Sequence, residues 1–190
     1  MTFVLAQNKE ADQLLGESSL ALLIAMVLDQ QIPMERAFIA PYLLQQRLGM
    51  PLDADQIHIM DPDRLDEIFS IKPALHRFPS SMAKRVASVC EIVSSKYDND
   101  ASNVWTNAKN STDLFQRITS LPGFGTDKSR IFIALLGKQA NLNVADWREV
   151  CKPFGEPGTY MSVADIVDEF SLAKVRAFKV AMKKARSEAL

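Results

Sequence analysis

The chain has 190 residues, of which 47% are hydrophobic and 24% charged, and its net charge is −1. That is enough for one packed domain or two small lobes, with the composition of a soluble globular protein. The charge balance excludes a nucleic-acid surface spread over the whole molecule, so any such surface must be a local patch. Cys90 and Cys151 stand far apart without metal-ligand spacing, which points to a reducing compartment. No signal peptide is visible, and the longest apolar run, 20–28, is too short to span a bilayer. A cytoplasmic protein without membrane contact is expected.

Residues 1–17 read as a weak helix ending at Gly16. Ser18 or Ser19 can cap the next helix. Leu20 to Leu28 is apolar on every face, so it belongs in a core, and it ends in 29-DQQIP-33, where Pro33 forbids continuation. A third helix is predicted from Met34 to Leu48, closed by Gly49. Asp53 and Asp61-Pro62 start two short helices in an acidic stretch that should face away from phosphate. Ser80 or Ser81 is expected to cap a helix with Val86, Val89, Cys90 and Val93 on its apolar line and Lys84, Arg85 and Lys96 off it. His76, on the loop before it, reads as a packed histidine rather than a general base, because no partner is evident. Residues 98–111 read as a polar loop whose Trp105 packs one lobe against the other, with base stacking as the alternative. Ser111 or Thr112 then opens a helix holding Leu114, Phe115 and Ile118.

That helix runs into 121-LPGFG-125. Pro122 stops it, and the two glycines allow a tight turn with exposed amides. Phe124 reads as a plug between two helices, and Thr126 as the N-cap of the second. Residues 127–138 are apolar all round, so this helix is central. Bare amides at a helix N-terminus suit an anion, and a DNA phosphodiester fits without conveying sequence information. The alternative is a turn whose glycines only permit close packing. Beyond it, 153–160 is irregular and 162-SVAD-165 is a capping box. Ser171 is expected to cap a last helix with Leu172, Val175, Phe178 and Met182 on one side. Lys174, Arg176, Lys179, Lys183, Lys184 and Arg186 cover much of the rest; they either track phosphates or form a solvated face. With no sustained period-two pattern, the fold class is all-α.

The L-P-G-F-G turn, the apolar helix and 144-VAD-146 together resemble the helix-hairpin-helix superfamily of base-excision DNA glycosylases. In that family the hairpin grips the DNA backbone and a catalytic aspartate follows the second glycine; Asp146 stands 21 residues after Gly125. The resemblance covers most of residues 18–150. It implies two helical lobes flanking a cleft, one from 18–137 ending in the hairpin and the other from 1–17 plus 138–190. It further implies that Gly123, Phe124, Gly125, Asp127 and Lys128 lie at the DNA backbone. Gln30 or Gln31 would fill the gap left by an extruded nucleotide. The four-cysteine loop of the iron–sulfur branch is absent, so no cofactor is expected, beyond room for a monovalent cation at the hairpin. The partner implied is double-stranded DNA with a damaged or mispaired base. The protein would be a monomer, and nucleoid-associated if bacterial.

A carboxylate beside C1′ stabilises the sugar cation that develops as the glycosidic bond breaks. Asp146 carries that role in the resemblance, although Asp146 with Glu149 also reads as a simple capping box. Family members with lyase activity have a lysine two residues after the second glycine. Asp127 occupies that place, and Lys128 is turned from it by about 100° on a helix. A monofunctional hydrolase is therefore expected. The alternatives are a non-catalytic protein of the same fold that binds lesions or distorted DNA, and a helical interaction protein whose turn is only structural.

Overall fold

A computed structural model describes residues 3–188. Residues 1, 2, 189 and 190 of the expected second lobe, and the side chain of Arg186 on the basic face, lie outside that description. Among the described residues every regular element is helical and there is no strand, so the chain is all-α.

α1 (Lys9–Glu17) begins at Asn8, whose side chain accepts the Ala11 amide. α2 (Ser19–Leu28) begins at Ser18, whose hydroxyl accepts the Ala21 amide at 3.1 Å. Every residue from Leu20 to Leu28 is buried, because this helix is wrapped by α1, α3 and α6. Each such leucine or isoleucine contributes roughly 1.5–3 kcal/mol through burial. α3 (Met34–Leu48) starts after Pro33 and stops at left-handed Gly49, as its sequence predicts. Asp53 and Asp61 cap α4 (Ala54–His58) and α5 (Pro62–Ser70) through their carboxylates. Both pack on α6 (Pro79–Lys96), where Val86, Val89, Cys90 and Val93 are buried.

The second half of the chain is organised around α9 (Thr126–Gln139). α7 (Asn103–Thr106) is a short helix inside the stretch expected to be loop; it forms because Trp105 must turn inward, edge-on to Phe132 at 5.6 Å. α8 (Ser111–Thr119) leads into α9, and Phe132 to Leu136 of α9 are fully buried. α10 (Trp147–Val150) lays its indole on Gly137, where a Cβ would stand 2.4 Å from the ring. A 3₁₀ turn, Val163–Asp165, closes over the far end of α9, and α11 (Glu169–Glu188) follows. That far end is heavily bonded. Lys138 Nζ pairs with Asp165 at 2.6 Å, and Gln139 Nε2 donates to the carbonyls of Ala164 and Ile166 at 2.9 and 3.1 Å.

Several caps differ from the sequence expectation. α6 begins one residue before Ser80, at Pro79, and Phe78 in the N-cap position gives no side-chain bond. Proline at the first position needs no amide partner, which removes part of the demand for a cap. Ser111 opens α8 as expected, and Asn110 caps it by accepting the Asp113 amide at 2.9 Å. Asp168 caps α11: its Oδ1 accepts the Ser171 amide at 2.7 Å, while Ser171 Oγ accepts the amides of Val167 and Asp168. The α11 stripe packs only at Leu172 and Val175; Phe178 is half-buried and Met182 exposed, because the helix outruns the body it rests on.

Candidate nucleic-acid interface

The 121–125 turn joins α8 to α9. The Phe124 amide donates to the Leu121 carbonyl at 3.1 Å, and Gly123 takes φ +89°, a conformation that disfavours any side chain. Phe124 is 4% exposed and packs against Phe132, so it acts as the expected plug and cannot itself touch DNA. Gly125, not Thr126, is the N-cap of α9, and it supplies no side-chain bond. Thr126 is the first helical residue. The reason is local: the extended conformation of a cap falls on Gly125, whose ψ is 174°. Ser129 turns its hydroxyl back to the Gly125 carbonyl at 2.9 Å, which braces the turn from inside. Gly125, Thr126 and Asp127 are exposed. The first-turn amides of a 14-residue helix are thereby presented at the surface without a side-chain cap, at the positive end of its dipole.

Two other segments, α6 and the end of α2 with the turn after it, meet at this end of α9. Arg85 of α6 lies across Gly123, where a Cβ would stand 2.6 Å from its Cδ. Its Nη1 donates to Gln30 Oε1 at 3.0 Å. Gln30 is folded back, its amide nitrogen donating to the Val27 carbonyl at 2.7 Å, so it is not free to enter a duplex. Gln31 is exposed with φ +55° and points away from the body. Of the two candidates for filling a vacated base position, only Gln31 is placed outward. Lys128, expected at the DNA backbone, instead reaches inward: Nζ donates to the Val27 carbonyl at 3.2 Å at the end of α2. Burial lowers its pKa to about 8, with Arg85 acting in the same direction and Asp29 against it. Asp127 is exposed at the first turn, within 3.9 Å of Arg130.

His76 is buried behind Gln30. Its Nε2 faces the Gln30 carbonyl at 2.9 Å and its Nδ1 accepts the Phe78 amide at 3.0 Å. A ring that accepts at Nδ1 and donates at Nε2 is neutral. Its pKa is lowered, chiefly by burial, with the charges of Arg36 and Lys128 adding to the effect. His76 therefore braces the 28–31 turn as a packed histidine.

Asp146 is elsewhere. Its neighbour Trp147 packs on Gly137, which stands ~16 Å along α9 from Thr126 at 1.5 Å per residue. Asp146 is exposed, adopts φ +55°, and makes no side-chain bond to α10; Glu149 pairs with Lys152 at 2.7 Å instead. The capping box expected at 146–149 does not form, since a left-handed N-cap turns its carboxylate away from the helix amides. The open depression beside it, 440 Å³, is lined only by residues 142–149.

What sequence reasoning missed is Arg85 across Gly123 and the approach of Lys128 to α2. Neither has a local signal, because each is a contact between distant segments. Asp29 did carry one: an acid at a helix C-terminus opposes the dipole there. Among the described residues no three His, Cys, Asp or Glu side chains gather to hold a metal ion, and no single helix is long and apolar enough to cross a membrane. Compared with models of known families, with curated proteins and with solved structures, the chain finds no match.

Proposed function

We propose that this protein binds the backbone of double-stranded DNA through the 121–125 turn and the start of α9, in the manner of a helix-hairpin-helix module, and that it acts there as a monofunctional base-excision glycosylase. The observation that carries the binding step is the uncapped amide terminus of α9, with the guanidinium-bearing Arg85 laid across Gly123 beside it. Amides and a guanidinium are the groups that accept a phosphodiester. The outward Gln31, with Arg85 and Gln30 linking it to the turn, supports extrusion of a damaged or mispaired base from the stack. On this reading the α8–turn–α9 unit grips the backbone, and the nucleotide is extruded beside the neighbouring α2–α3 turn.

A specific observation favours a second reading. Asp146, the carboxylate the family resemblance assigns to catalysis, is held toward the opposite end of α9 from the turn. A protein that binds distorted DNA without cutting the glycosidic bond needs no carboxylate there.

Binding and reaction separate experimentally. Gly125→Val has room for its side chain, since nothing lies within 4 Å of an added Cβ, yet it places bulk over the amides. It should weaken damaged and undamaged duplexes alike, by about tenfold, because the contact is with the backbone. Wild-type affinity should fall steeply with salt. Unchanged affinity in Gly125→Val, measured by fluorescence anisotropy, removes the turn as the grip. Alkali-labile strand cleavage of duplexes carrying single damaged bases distinguishes the glycosylase from the binding module.

A further inference from the structure

Hydrolysis of a glycosidic bond requires a carboxylate near the DNA-facing end of α9, and Asp29 is there. It ends α2 and directly precedes Gln30 and Gln31. The Lys128 amine bonds the Val27 carbonyl just before it, so one lysine side chain spans from α9 to this corner. Asp29 lines a 410 Å³ groove between the α2–α3 link and α11, with Ile32, Ile166, Leu172 and Val175 as apolar walls and Lys179 beside it. A groove of this size, largely apolar with a few polar groups, is suited to a small planar ligand such as a nucleobase with its sugar.

Two features of the environment of Asp29 are unfavourable to a carboxylate. The carboxylate is half-buried and stands at the negative end of the α2 dipole. Among the described residues it has neither a hydrogen-bond donor nor an ion-pair partner; only the more distant charges of Lys179, Lys128 and Glu35 act on it. Its neighbour Glu35 is paired with Arg176, and Asp165 accepts four bonds. A carboxylate with no protein partner at the negative end of a helix dipole is mildly unfavourable, and its groove-facing oxygens are left to solvent or a ligand. Sites that break such rules are the expected places of function.

On the premise that the chain excises bases, we propose that Asp29, rather than Asp146, is the catalytic carboxylate and that the groove beside it receives the displaced nucleotide. The bond from C1′ to the base nitrogen breaks and its electron pair leaves with the base. The Asp29 carboxylate faces the cation developing on the sugar. A water oxygen then bonds C1′ and gives one proton to Asp29, while the departing nitrogen takes its proton from solvent. One water is added across the bond, and nothing is oxidised or reduced. Burial raises the Asp29 pKa above the usual carboxylate range, against the pull of Lys179 and Lys128, which suits a group that must accept a proton. Gln31 is two residues on, so the same turn would both fill the vacated stack and carry the carboxylate.

The test compares wild type, Asp29→Asn and Asp146→Asn on duplexes bearing single deaminated, oxidised, alkylated or mispaired bases. Alkali-labile cleavage, duplex anisotropy and thermal melting are read together. The expected result is release slowed by about 100-fold or more in Asp29→Asn, with duplex affinity changed by less than about twofold and a melting temperature equal to or above wild type. Asp146→Asn should release base at the wild-type rate. Asp29→Ser serves as a second variant should the asparagine disturb the turn. Release at the wild-type rate in the Asp29 variants overturns the assignment. So does a wild type that binds duplexes but releases no base, an outcome that leaves DNA binding intact. A wild type that binds no duplex at all overturns both, and anisotropy alone tells the two failures apart.

Discussion

The two ends of α9 are built in opposite ways. At its C-terminal end the side chains are saturated: Lys138 is bonded to Asp165, to Thr159 and to the Glu156 carbonyl, and Gln139 donates to carbonyls within and just after the 3₁₀ turn. At its N-terminal end the amides carry no side-chain cap, Lys128 is half-buried against a carbonyl, and Asp29 has no partner among the described residues. The saturated end resembles a stability device. The unsatisfied end holds polar groups whose bonds a ligand could complete. Asp146 lies toward the first and the glycine turn at the second, which is why the spacing between them in sequence does not translate into proximity.

The sharpest way to break this comparison is at the saturated end. Asp165→Ala leaves the Lys138 ammonium partly buried without its carboxylate and strands the amides of Met161 and Ser162. It should lose about 3–5 kcal/mol of stability in chemical denaturation. Duplex affinity, measured where the protein is still folded, should be unchanged. A loss below about 1 kcal/mol would show that the pair is no more than a surface contact.

The unsatisfied end should respond in the opposite sense. Lys128 has a folded pKa of about 8, against about 10.4 for a free lysine. Below the folded value, folding bears the full penalty of burying the ammonium. As pH rises from about 8 toward 10.4 the folded amine loses its proton while the unfolded one keeps it, so wild-type stability should climb across that window. Lys128→Met removes the penalty and should be more stable than wild type by about 1–2 kcal/mol at neutral pH, with the gap closing as the pH is raised. A difference that does not change between pH 7 and pH 10 would mean that the amine is solvated.

Asp146→Asn should have the smallest effect. The carboxylate makes no side-chain cap bond, and asparagine tolerates φ +55° as readily as aspartate. Stability should change by less than about 0.5 kcal/mol. A larger loss in the melting temperature would show that Asp146 holds the approach to α10 after all.

The helical architecture was legible because it is written locally. An all-apolar run such as Leu20 to Leu28 can only be a core helix. Ser18, Asp53, Asp61 and Ser162 are caps whose side chains bond amides two or three residues away. Where prediction missed, a neighbour in the chain competed for the same capping position. Gly125 took the cap from Thr126 because its backbone was already extended, and Asp168 took it from Ser171 in a reciprocal arrangement that uses both. The half-exposed stripe of α11 misled because periodicity records which residues could pack, not how far the underlying body reaches.

By itself, then, the sequence determined what short-range forces decide: most of the helices, most of their stops, the glycine turn and the Phe124 plug. The tertiary structure alone decided which end of α9 each polar group attends. Arg85 reaches Gly123 and Gln30, Lys128 reaches Val27, and Trp147 draws Asp146 toward Gly137. Those are contacts between segments tens of residues apart in most cases, and their directions follow from how α2, α6, α9 and α10 pack. Spacing along a chain cannot encode such directions, because a loop of given length can close in either sense at nearly the same entropic cost.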